Sequence, residues 1–231
     1  GELHMSRPRC VSGAARRTQV EPADSLDSFP LRLFLAVPIA KTGQEYLQGV
    51  MAKLQEEHEE ASGAFAWVKP ENLHITLKFL GSVEQAQFDK LKEAMTQFEE
   101  QSAAQQFSLD RSQHQLLLRQ GGAFRGKDNR PDILWMGIQP NRQQEAVESF
   151  KQWANQIDST CEKAGFKRES RVRVPHVTLG RLRRKSTVEK NVLTLADAVA
   201  SLQLEQAVEV DITQAMLTQS TLTRAGAVYR W

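Results

Sequence analysis

The chain is predicted to be α+β, with antiparallel sheets and flanking helices. Three observations carry that expectation. The elements run strand, helix, strands, helix, strands, helix, strand, helix, strands, which lacks the regular alternation of a doubly wound parallel sheet. A short phrase occurs twice, as His74-Ile75-Thr76-Leu77 and as His176-Val177-Thr178-Leu179, each with the alternation of a half-buried strand. The two halves around those phrases have loosely similar patterns, so two related lobes are expected.

Composition narrows the class. At 231 residues the chain can bury a proper core, as one large domain or two small lobes. No apolar run approaches the roughly 18 to 20 residues of a membrane span, and the N-terminus has no hydrophobic signal core. Two cysteines, Cys10 and Cys161, fit a reducing compartment and no disulfide framework, so a cytoplasmic location is expected. No Cys/His grouping has zinc-ligand spacing, and neither a metal nor another cofactor is expected. A net charge of +2 argues against coating long nucleic acid, but allows the binding of one phosphate at a nucleic-acid end.

Gly1–His4, ahead of Met5, read as a tag remnant, and the polar stretch that follows as a disordered extension. Residues 1–29 are therefore set apart from a domain over residues 30–231. Arg7, Arg9, Arg16 and Arg17 suit a solvated tail better than RNA contacts. Leu31–Pro38 is a strand ended by proline. Lys41 to about Glu60 has helical periodicity through Tyr46, Leu47, Val50, Met51 and Leu54. Its acidic end, Glu56–Glu60, is solvated, and His58 there is no ligand. Phe65–Val68 is a short strand, and Lys69-Pro70-Glu71-Asn72 turns into the first phrase. A helix from about Val83 to Gln101 carries Phe88, Leu91, Met95 and Phe98 on one stripe. Phe107–Leu118 and Asp132–Gln139 read as strands, with His114 structural or at the surface. Gln120–Pro131 between them has the glycines of a phosphate loop. It lacks the Gly-Lys-Ser/Thr order and the following helix, so a mobile hairpin loop is expected. Asn141 to about Gly165 is a helix with Val147, Phe150, Trp153, Ala154 and Ile157 as its stripe and Gly165 as terminator. Cys161 falls at a packing position. A helix over Val188–Leu202, a long strand over Val208–Leu217 and a closing strand over Ala227–Trp231 complete the chain.

In a strand, residues two apart face the same way. His74 and Thr76 therefore share a face, as do His176 and Thr178, with Ile75, Leu77, Val177 and Leu179 turned to a core. A lone His-x-Thr is usually structural, but two copies on amphipathic strands are much less expected by chance. Across a cleft they would supply two imidazoles and two hydroxyls. With an unperturbed pKa of about 6.5, one ring can be neutral while the other is protonated. That suits phosphodiester cleavage. One ring takes a proton from attacking water and the other gives one to the departing oxygen, each transfer typically worth about 10²- to 10⁴-fold. The threonines can donate to non-bridging oxygens. A serine-type triad fits poorly, because neither phrase puts a nucleophile on a strained turn.

Lys163, Lys167, Arg168, Arg171, Arg173, Arg181, Arg183, Arg184 and Lys185 make the second phrase's surroundings basic. Arg181 closes its strand and is placed to grip a phosphate bidentately. Lys78 has two readings, pointing into the cleft with His74 and Thr76 or snorkelling at the surface. Trp67, Phe79 and Trp135 are core candidates, with stacking on a base as the alternative.

At these residues the chain resembles the two-histidine (2H) phosphoesterases, and more closely the bacterial RNA 2′,3′-cyclic phosphodiesterases, also called 2′-5′ RNA ligases (LigT/ThpR). The likeness runs from about Leu31 to Trp231. It includes Leu31–Val37, Asn72–Gly81, Pro175–Arg181 and the late pattern of Ser220, Leu222, Gly226 and Tyr229. It implies a bilobal α+β fold whose two antiparallel sheets flank a central cleft. It implies metal-independent hydrolysis of a terminal 2′,3′-cyclic phosphate to a 2′-phosphate, with 2′-5′ joining of RNA ends as a side activity. His74 would be the proton donor and His176 the acceptor, with Thr76, Thr178 and Arg181 on the phosphate. The implied partners are RNA ends or small nucleotides carrying a cyclic phosphate. Neither a membrane nor an obligate protein partner is expected, and the chain is expected to be a monomer. Two other readings stay open: a cleft that binds a nucleotide or RNA end without turnover, and an esterase of small 2′-5′-linked or cyclic nucleotides.

Overall fold

The computed structural model describes residues 29–105, 115–169, 174–212, 215–223 and 226–230. The expectations for the extension up to Ser28 and for Cys10, His114, Arg171, Arg173 and Trp231 lie outside those residues. In chain order the elements are β1 (Leu31–Pro38), α1 (Lys41–Glu57), α2 (Glu59–Ser62), β2 (Phe65–Trp67), β3 (His74–Val83), α3 (Gln85–Gln105), β4 (Gln115–Arg125), β5 (Pro131–Gly137), α4 (Gln144–Lys163), β6 (His176–Leu182), α5 (Lys190–Ala200), β7 (Gln203–Asp211), β8 (Met216–Thr223) and β9 (Gly226–Arg230). The helices form where apolar residues recur on one stripe. α1 buries Leu47, Met51 and Leu54, and α4 buries Phe150, Ile157 and Cys161. α4 stops where its glycine predicts. Gly165 has φ +94°, and the Phe166 N–H closes back on the Cys161 carbonyl at 3.1 Å.

The strands pair in the order β7-β4-β5-β6-β3-β1-β8-β9, with β2 added against β6. Every described pairing is antiparallel. One half of the sheet is β3, β1, β8 and β9; the other is β7, β4, β5, β6 and β2. The halves meet at one bridge, Ile75 to Val177. Both residues of that bridge are buried in the core shared by Leu77, Leu179, Met95 and Phe150. The two antiparallel sheets that the sequence suggests are thus joined at the centre of the two motif phrases. Among the described residues, no helix is long and apolar enough to cross a membrane.

Three local expectations need correction. The first helix breaks at His58, whose φ −128° and ψ 54° separate α1 from α2. The long strand over Val208–Leu217 is two strands. β7 pairs with β4 and β8 with β1, so the chain crosses from one half of the sheet to the other between Asp211 and Met216. Alternation continues through both and hides the crossing. The glycine-rich stretch is mostly strand: β4 runs to Arg125 and pairs with β5, leaving only a tight turn from Gly126 to Arg130. Its glycines serve close approach. A Cβ on Gly121 would sit 2.0 Å from the Val199 carbonyl oxygen of α5, and one on Gly122 would sit 2.1 Å from the Trp135 ring.

Candidate active site

β3 and β6 carry the same order of exposure over seven residues: half-buried, buried, half-buried, buried, buried, exposed, buried. The two successive buried residues mark a bulge in each strand. In β3, Thr76 faces Ala36 and Lys78 faces Leu35, leaving Leu77 extra. In β6, Thr178 faces Trp135 and Gly180 faces Leu134, leaving Leu179 extra. An extra residue reverses the alternation beyond it. The side chain that joins His74 and Thr76 is therefore Phe79, not Lys78. The one that joins His176 and Thr178 is Arg181, which strict alternation would have turned away.

The His74 ring is held on both nitrogens. Nδ1–H donates to the Asn72 carbonyl at 2.6 Å, and the Thr76 hydroxyl donates to Nε2 at 3.1 Å. The short 3-10 turn Pro70–Asn72 places that carbonyl. Phe34 lies against the ring at 5.0 Å and Tyr229 meets it edge-on at 5.4 Å. Burial in this aromatic nest pushes the His74 pKa down to about 4. The Asn72 hydrogen bond opposes the shift, and the positive charges of Arg181 and His176 reinforce it. His74 is therefore neutral near pH 7.

His176 repeats the backbone contact, with Nδ1–H donating to the Val174 carbonyl at 2.9 Å. Phe124 meets its ring edge-on at 4.8 Å, and Trp135 stands at 6.2 Å. In both histidines Nδ1 is committed to the carbonyl two residues upstream, so Nε2 is the nitrogen for acid–base work.

The structure brings His74, Thr76, His176, Thr178 and Arg181 to one side of the Ile75–Val177 bridge. Its antiparallel sense sets Thr76 in register with His176 and His74 in register with Thr178. Lys78 belongs to neither of its predicted places. It is 2% exposed, its Nζ donating to Asp158 Oδ1 at 2.5 Å and to the Lys167 carbonyl at 2.7 Å. Asp158 also accepts the Glu169 N–H at 3.0 Å, so the pair ties β3 to α4 and to the segment that leads toward His176. Phe79 is 60% exposed and is not core. Trp67 packs over Gly180 and donates from Nε1 to the Ser62 carbonyl at 2.9 Å. Sequence reasoning missed the aromatic nests. Phe124 was hidden by the loop reading of its strand; Phe34 and Tyr229 stood in patterns quoted for the resemblance, and Trp135 among the stacking candidates, but nothing in their order tied them to the histidines. Among the described residues, no three His, Cys, Asp or Glu side chains gather as ligands for a metal ion.

An antiparallel sheet joined at two His-x-Thr strands, with both imidazoles and an arginine on one face, defines a two-histidine phosphoesterase. The chain belongs to the LigT like phosphoesterase family, whose pattern matches residues 43–135 and 142–229. A Methanocaldococcus jannaschii protein named RNA 2′,3′-cyclic phosphodiesterase is 32% identical over 199 residues, covering 86% of this chain and 96% of its own length. An Archaeoglobus fulgidus protein of the same name is 28% identical over 200 residues, covering 87% and 97%. The crystal structure of E. coli LigT with 3′-AMP superposes with a TM-score of 0.55 at 21% identity, covering 87% of this chain and 94% of that one. That likeness is one of fold.

Proposed function

We infer that this protein hydrolyses 2′,3′-cyclic phosphodiester ends of RNA. The Ile75–Val177 bridge, which sets the two His-x-Thr phrases side by side, is the observation that carries the reading. Water attacks phosphorus and the bond to O3′ breaks. One imidazole takes the proton from water, the other protonates O3′, and the phosphate stays on O2′. Both proton transfers are then supplied by side chains, and the scheme needs no metal.

Following the resemblance, His74 is the donor and His176 the acceptor. Thr76, Thr178 and Arg181 hold the non-bridging oxygens, where charge gathers in the transition state. This assignment sets a condition on His74. A donor must carry a proton, and in the ligand-free protein this ring is neutral near pH 7. A bound phosphate anion favours the charged ring, against its burial and the nearby Arg181 charge, so protonation of His74 accompanies substrate binding. The Thr76 hydroxyl then turns from Nε2 to a phosphate oxygen. The joining of RNA ends through a 2′-5′ bond is the same displacement with a 5′-hydroxyl in place of water: one imidazole takes its proton, the other protonates the departing O3′, and phosphorus stays bonded to O2′. A cytoplasmic monomer is the proposed working form, checked by light scattering.

The test is an RNA ending in a 2′,3′-cyclic phosphate, followed by phosphorus NMR with EDTA present. A 2′-monophosphate product is expected. Binding without product supports a binding module, and turnover that stops on chelation overturns the metal-free scheme. Faster turnover of small 2′-5′-linked nucleotides would move the substrate class.

A further inference from the structure

We propose that Arg183, Arg184 and Lys185 form a second phosphate-binding site, just outside the cleft, that holds the RNA strand upstream of its cyclic end. The inference rests on the proposed hydrolysis of RNA ends and names its substrate class as oligonucleotides over mononucleotides.

β6 runs on from His176 and Thr178 as a line of cations. Arg181 and Arg183 are exposed and flank buried Leu182, so they lie on one face, the face of His176 and Thr178. Two strand residues span about 7 Å, comparable with one nucleotide step in an extended strand. Arg184 and Lys185, also exposed, are the central residues of a turn closed by the Ser186 N–H on the Arg183 carbonyl at 3.0 Å.

That turn is fixed from beneath. The Arg130 guanidinium donates to the carbonyls of Ser186 at 3.1 Å, Arg183 at 2.8 Å and Arg184 at 3.2 Å. The Ala64 carbonyl accepts the Arg183 N–H at 2.9 Å and the Ser186 hydroxyl at 3.1 Å. The turn's carbonyls are drawn inward, and its three long side chains are presented outward. Nearby Arg125 and Arg130 are neutralised by Asp197 and Asp132. Among the described residues, no carboxylate pairs with Arg183, Arg184 or Lys185. A backbone already ordered loses less entropy on binding, and guanidinium groups match phosphate oxygens in pairs. The continuity with Arg181 favours the backbone of the strand whose end the cleft holds over an acidic protein.

The experiment compares a short RNA with a 2′,3′-cyclic end and a nucleoside 2′,3′-cyclic phosphate, over a salt series. The wild type is set against Arg183→Ala/Arg184→Ala/Lys185→Ala and against Lys185→Glu. The wild type is expected to favour the oligonucleotide by about tenfold or more in kcat/KM, with a salt slope of about −0.7 per phosphate contacted. The triple variant should lose that preference through KM and keep the nucleoside rate; Lys185→Glu should weaken the oligonucleotide alone. Equal use of both substrates by the wild type overturns the site, as does a triple variant that lowers both rates alike. A variant that loses an acidic protein ligand but keeps its RNA preference also overturns it. If neither substrate turns over, the hydrolysis reading fails. RNA binding by fluorescence anisotropy then still tests the site, since the triple variant must bind more weakly.

Discussion

The two motif strands differ less in backbone than in what each does with it. β3 and β6 share the His-x-Thr phrase, the extra leucine after it, and the same order of exposure. Each presents a histidine anchored through Nδ1 to a carbonyl two residues back. Beyond the bulge they diverge. β3 sends Lys78 into the core and Phe79 to the surface, while β6 has Gly180 beneath Trp67 and sends out Arg181. His74 sits in an aromatic nest that keeps it neutral; His176 stands on the strand that carries the cations. One backbone device, used twice, gives two like rings unlike surroundings, and the ring proposed as the acid is the one that must gain its proton with the substrate.

The largest test of that comparison removes each ring in turn. His74→Ala and His176→Ala are each expected to lower kcat by about 10²-fold or more. A near-wild-type rate in either would leave the cleft with one working strand. Next come the positions where the strands part. Lys78→Met should cost about 3 kcal/mol in urea unfolding, because it leaves the buried Asp158 carboxylate with only the Glu169 N–H and the Arg168 guanidinium at 3.8 Å. Lys78→Met with Asp158→Leu should recover most of that. At the matching place in β6, Gly180→Ala should cost under about 1 kcal/mol, since its Cβ would meet nothing nearer than 3.5 Å. Equal costs at the two positions would mean that the pair is not holding β3 to α4.

Smaller effects follow one residue along. Arg181→Ala should lower kcat/KM by about tenfold to a hundredfold, the worth of a charged hydrogen bond, whereas Phe79→Ala should leave stability within about 0.5 kcal/mol. The finest effect is a titration. The His74 ring proton should titrate in NMR near pH 4 in the ligand-free protein and move upward when phosphate binds. The folded protein binds this proton more weakly than the unfolded chain does. Its contribution to stability is therefore complete above the unfolded value of about 6.5 and is lost as pH falls toward 4. His74→Phe should flatten that acid limb; an unchanged limb would place the sensitivity elsewhere.

Much of this was legible from residue order alone. Periodicity located the helices, a glycine marked the end of α4, and doubled phrases pointed to both histidines. Where the reading failed, the cause was a contact between segments far apart in sequence. Gly121 and Gly122 looked like a loop because their need is to admit α5 and Trp135, neither of which is their neighbour in the chain. The Val208–Leu217 alternation concealed a crossing, because β7 and β8 obey the same period while pairing in different halves.

By itself the sequence determined which residues alternate, where helices form, and that two imidazoles stand beside two hydroxyls, since those follow from local geometry repeated along a chain. Only the tertiary structure decided which face Lys78, Phe79 and Arg181 occupy. A bulge exists only against a partner strand, and the unpaired leucine after each His-x-Thr phrase reverses the faces of the residues that follow it, until Leu80 makes a second bulge in β3.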